Sequence, residues 1–199
     1  MGSLAERLER LYRARYGAAE WEERTCTIRE MWLGIAERIN ALEINFSRAK
    51  VYQDGLPVCG KEELIVRDLA RQGSLNHRLV LQLLERGARL VGTESPELLL
   101  REYQLVKSQL AAAEMYRGQV PAPASAAGGA SGNPQTALLE RDRFIARRIE
   151  ETLAEGETGI LFMGFAHEVH RHLADSIKVQ FLIHRLPFGR DVERKRPVR

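Results

Sequence analysis

Cysteine is scarce in this chain of 199 residues. Cys26 and Cys59 are too few for a disulfide framework and show no metal-type spacing. That points to a reducing, cytoplasmic setting. Long apolar runs are also missing: none approaches the roughly 18 residues of a spanning helix, which excludes a helical membrane protein. The opening Met1–Arg7 is charged within its first turn and does not read as a secretory signal. Aromatic residues make up only 7% and nowhere interleave with a basic face, and no RNA- or DNA-binding motif is present. The small, uncharged stretch 120–134 contains glycine, but no Lys-Ser/Thr follows and no strand precedes it, so it is not a phosphate-binding loop.

What is present is ordinary globular composition, 44% hydrophobic and 29% charged with a mean hydropathy of −0.31. That suffices for one core. The net charge of +3 is concentrated at the C-terminus. From Arg185 onward six basic residues face Asp191 and Glu193, which leaves residues 1–184 slightly acidic. The basic character belongs to a solvated tail, the only part suited to touching phosphate or an acidic partner, and nucleic acid is otherwise not an expected partner.

Periodicity predicts helices over 3–16 and 19–42, with Trp21, Ile28, Trp32, Ile35 and Ile39 at helical spacing. A strand over Ala49–Tyr52 follows, then helices over 61–72 and 75–86 ended by Gly73 and Gly87. Ala88–Val91 reads as a second strand. Ser95 and Pro96 open a long helix reaching about residue 117, as N-cap and first helical residue. After a flexible insertion at 119–135 come a helix over 136–154, the strand Gly159–Met163, a short helix from about His167, and the strand Lys178–Ile183. The expectation is an α/β domain over 43–184. It carries a mainly parallel sheet of about four strands flanked by helices, an N-terminal helical extension over 1–42 and a basic tail over 185–199.

In such a sheet, ligands gather at the carboxyl ends of the strands. Asp54 and Gly55 follow the first strand, Thr93 and Glu94 the second, and Gly164 through His167 the third. Asp54, Glu94 and Gly164 are therefore candidate substrate-binding positions, although turns and caps use the same residue types. His167 is the leading candidate for chemistry. At the first turn of a helix its imidazole would be kept neutral, as a general base or a metal ligand requires. His167 is also the candidate metal ligand, for a divalent ion. His170 and His172 complete a His-x-x-His-x-His pattern, but on a helix His172 points about 140° away from His167, so both read as flanking surface residues.

Asp142 falls at the centre of the apolar stripe formed by Leu138, Leu139, Ile145, Ala146, Ile149 and Leu153. A carboxylate aimed into a core needs a partner, either a structural ion pair or cap or a catalytic one. Glu102, between Leu98, Leu99, Leu105 and Val106, reads as an edge residue. Cys59 and His77 read as packing residues.

The segment Leu139-Glu-Arg-Asp-Arg-Phe-Ile-Ala-Arg-Arg-Ile149, followed by Gly159-Ile-Leu-Phe-Met-Gly-Phe-Ala-His167, resembles the C-terminal part of the TraB/Tiki and erythromycin-esterase-like superfamily. There an Arg-Asp-bearing helix precedes a hydrophobic strand ending in Gly-x-x-His. The resemblance covers residues 139–167 and implies site roles for Arg141, Asp142 and His167. The family also has a Gly-x-x-His after an early strand and a glutamate after the next. This chain has no histidine before His77, and Asp54 is the nearest counterpart of that acid.

Two functions follow. One is a hydrolase-like domain, with a full or degenerate site, in which His167 is base or ligand, Asp142 orients it and Arg141 turns inward to stabilise developing negative charge. The other is a non-catalytic regulatory or protein-binding domain, with a homodimer surface on the N-terminal helices around Trp21 and Trp32. The first requires Asp142, His167 and Asp54 or Glu94 around one cleft.

Overall fold

The structure is a computed structural model and describes residues 4–115 and 134–182. The insertion expected at 119–135 falls almost wholly outside the described residues, and the tail at 185–199 entirely so. Two compact units emerge. One gathers the described residues up to Glu43 with those from Val179, and the other is Ile44–Lys178.

The first unit holds α1 (Leu4–Tyr16) and α2 (Ala18–Asn40). Gly17 separates them at φ 92°, a left-handed conformation open to glycine. Tyr12 stacks at this corner against Tyr16 and Trp21, with ring centroids 4.6 and 5.5 Å apart. No described helix is long and apolar enough to cross a membrane.

The second unit is α/β. Its strands are β1 (Ala49–Gln53), β2 (Arg89–Val91) and β3 (Thr158–Phe162), all parallel in the order β2-β1-β3. Val51 lies opposite Leu90 on one side and Ile160 on the other. Helices α3 (Glu62–Arg71) and α4 (Leu75–Glu85) connect β1 to β2. Helices α5 (Pro96–Met115) and α6 (Pro134–Thr152) lie between β2 and β3. The expected cap forms, with Ser95 Oγ accepting from the Leu98 amide at 3.3 Å.

Successive strand side chains point to opposite faces. Tyr52, fully buried, packs with Ile145, Ala146 and Ile149 of α6 and with Val169. Its hydroxyl bonds the Thr152 hydroxyl at 2.9 Å. On the intervening helices Val66, Ala70, Leu79, Val80 and Leu83 are buried, as the apolar spacing of those segments requires.

Two expectations are corrected. The sheet has three strands among the described residues, not four: residues 178–182 form no strand, and Val179 and Phe181 are about half exposed. Their apolar run has the composition of a strand but no neighbour to complete a ladder. Nor does a helix begin at His167. That residue sits in a turn closed by its own amide on the Gly164 carbonyl at 3.2 Å, before a single 3-10 turn at Val169–Arg171. The helix-dipole reason for a neutral His167 therefore does not apply.

Beyond the strands, the loops after β1 and β2 run on side by side. The Thr93 and Glu94 amides both donate to the Leu56 carbonyl, and the Val58 amide donates to that of Glu94. Gly92 is required by this approach: a Cβ there would lie 2.9 Å from the Val58 Cα and 2.7 Å from Glu62 Oε1.

Candidate functional site

The residues that follow the three strands meet those of α6 at the carboxyl ends. Arg141, buried on α6, turns inward and spends its donors on three acids. Its Nε–H donates to Glu94 Oε2 at 2.7 Å and Nη2 to Glu94 Oε1 at 2.5 Å, a bidentate pair. Nη2 also reaches Asp54 Oδ1, and Nη1 reaches Glu102 Oε2, each at 2.7 Å. Burial opposes the guanidinium charge. The hydrogen bonds and charge of Glu94, with Asp54 and Glu102, outweigh it and raise the pKa above the ordinary value for arginine.

Asp142 is the next residue on the helix and faces the same region. Its Oδ1 accepts from His167 Nδ1 at 2.5 Å and its Oδ2 from the Glu168 amide at 2.8 Å. With Nδ1–H directed at Asp142, the other ring nitrogen, Nε2, points toward Asp54 Oδ1 at 3.6 Å. Asp54 is thus shared between Arg141 and His167, and its Oδ2 accepts from the Gly164 amide at 2.9 Å. A side chain at Gly164 would crowd this contact, since a Cβ there would sit 3.1 Å from Asp54 Oδ2.

Exposure separates the roles. The Glu94 side chain is 1% exposed and serves Arg141 and the Gly55 amide, the latter at 2.9 Å. Asp54, at 24%, is partly open to solvent, and the His167 side chain is 5% exposed. Glu102, at 43%, is the edge residue its helical position suggests, yet it holds Arg141. Next to the site, Phe165 is almost fully exposed.

All six candidate residues, Asp54, Glu94, Arg141, Asp142, Gly164 and His167, therefore belong to one connected network. Arg141 differs from expectation in one respect. Its donors are already committed to carboxylates, so it holds Asp54 and Glu94 in place and is not free to meet a developing anion. Sequence reasoning missed the backbone donors Gly55 and Glu168, for which no side-chain signal exists. Among the described residues no three His, Cys, Asp or Glu are grouped to hold a metal. Of the other histidines, His170 is exposed and His172 half-buried, neither part of this network.

Comparison of the chain with protein-family models, with curated proteins and with solved structures finds no match.

Proposed function

We propose that the chain is a hydrolase-like domain in which His167 is the general base. The observation that carries this is the imidazole held between two carboxylates, Asp142 at 2.5 Å on Nδ1 and Asp54 at 3.6 Å from Nε2, at the carboxyl ends of a parallel sheet. Asp142 fixes the ring and its tautomer, so that Nε2 carries the lone pair. A 3.6 Å separation lets one water reach both Nε2 and Asp54 Oδ1. That water attacks the electrophilic carbon or phosphorus of an ester, amide or phosphoester. Its proton passes to Nε2, and His167 returns the proton to the leaving group. Arg141 and Glu94 act one step back, as positioning residues that set where Asp54 stands. The likeness of residues 139–167 to the TraB/Tiki and erythromycin-esterase-like superfamily supports the same assignment.

A second reading, a non-catalytic binding domain, is favoured by one observation. The His167 side chain is nearly buried, and both of its ring nitrogens face carboxylates, Asp142 and Asp54. The two are separated by assaying the full chain against ester, peptide and phosphoester panels, beside His167→Ala and Asp142→Asn. The hydrolase reading expects turnover that falls about 10²–10⁴-fold in both variants. Turnover unchanged by both, or none on any panel, overturns it and leaves the binding domain.

A further inference from the structure

We infer that Arg143, Arg147 and His172 form an anion-binding site for a phosphate-bearing ligand, on a face of α6 that the network above does not use. The three side chains line one open cavity of about 320 Å³. Arg143 and Arg147 are one helical turn apart and exposed, while His172 is half-buried and reaches the cavity from the loop after the 3-10 turn. A cavity of this size exceeds a bare phosphate and falls at the lower end of small-molecule sites.

Arg67, Arg101, Arg148 and Arg171 are each paired with a nearby acid. The side chains of Arg143 and Arg147 make no hydrogen bond or ion pair with any described residue. Glu151, one turn beyond Arg147, is taken by Arg148 at 3.2 Å. Two like charges at this spacing repel and cost helix stability. An anion seated between them removes that repulsion and completes a planar, multidentate contact of the kind guanidinium groups make with phosphate. Because His172 and His167 sit in one short loop, a ligand here also bears on the loop that carries the proposed base. The binding claim does not depend on that base being catalytic.

The test is titration of the full chain with inorganic pyrophosphate and with O-phosphoserine, read by calorimetry. In parallel, phosphatidylcholine vesicles with and without phosphatidic acid are assayed by co-sedimentation. The comparison proteins are Arg143→Gln/Arg147→Gln, His172→Gln and, as a charge control, Arg10→Gln/Arg13→Gln. The expected result is saturable binding weakened about tenfold or more by the Arg143/Arg147 double variant, less by His172→Gln and not by the control. Binding of the soluble probes identifies a free phosphorylated ligand, and binding of acidic vesicles alone identifies a headgroup. No saturable binding, or binding equal in the Arg143/Arg147 and control variants, overturns the site and assigns any phosphate affinity to diffuse positive charge. All substituted residues are exposed or half-buried, and thermal melts of each variant check that the fold is intact.

Discussion

The two ends of the sheet carry opposite kinds of polar cluster. At the amino ends one acid, Glu157, answers two bases, Lys50 at 2.6 Å and Arg89 at 2.7 Å, and also accepts the Ala154 amide. Those bonds fasten the start of β3 to β1 and β2, and Arg89 lies largely in solvent. At the carboxyl ends four acids, Asp54, Glu94, Glu102 and Asp142, face one guanidinium and one imidazole. Both clusters lace strands together. Only the second gathers more acids than bases, and two of its members, Asp54 and the edge residue Glu102, are partly open to solvent. That surplus of acid, at the end of the sheet where parallel strands commonly meet ligands, is the pattern on which the proposed function rests.

The contrast breaks most visibly at Arg141. Arg141→Met leaves Glu94 buried without a counter-charge, and we expect a loss of about 3–5 kcal/mol in urea unfolding. Adding Glu94→Gln should recover part of it. A loss no greater than that of Glu157→Gln would put the two clusters on one footing. Next comes Asp142→Ala, which strips acceptors from His167 and the Glu168 amide and should cost about 1–3 kcal/mol. Neighbouring Glu140→Ala, at an exposed surface pair, should stay within about 0.5 kcal/mol. Equal effects would mean that Asp142 is not the hub its contacts describe.

Gly92→Ala tests how tightly the carboxyl-end loops are drawn together. Its methyl group meets the Val58 backbone, and a destabilisation of about 1–3 kcal/mol is expected from the same unfolding curves. The smallest effect belongs to the amino end and is read against pH. The Lys50 hydrogen bond, with the Ala154 amide and the Lys50 and Arg89 charges, holds the Glu157 carboxyl down at about 2, against an ordinary 4.5. Its contribution is therefore complete above pH 4.5 and is lost as pH falls toward 2. Melting temperatures across that interval should fall less steeply in Glu157→Gln than in the parent. Parallel curves would show that the amino-end cluster contributes nothing to acid stability.

Much of this was legible in the residues. Asp142 stands out because one carboxylate interrupts an otherwise apolar helical stripe, and His167, Asp54 and Glu94 because each lies just past a strand. Arg141 was only half legible. Helical geometry puts it beside the core stripe, but its inward turn is fixed by acids distant in sequence, one on α5 and two after β1 and β2. The expected strand at 178–183, absent over the described residues 178–182, and the expected helix at His167 share a cause. Local composition was read as structure where the outcome rested on tertiary partners, a missing sheet neighbour in one case and the Asp142 side chain in the other.

The central position of β1 has a consequence for how the molecule comes to exist. The strand pairs with β2 early in the sequence and with β3 late, and the acids of the site follow the same division. Asp54 and Glu94 are synthesised well before Arg141, Asp142 and His167. A nascent chain that has released only its first two strands holds an acid destined for the interior with nothing to neutralise it. Glu94 gains its buried counter-charge only when α6 packs, so burial of that acid is coupled to the late half of the chain.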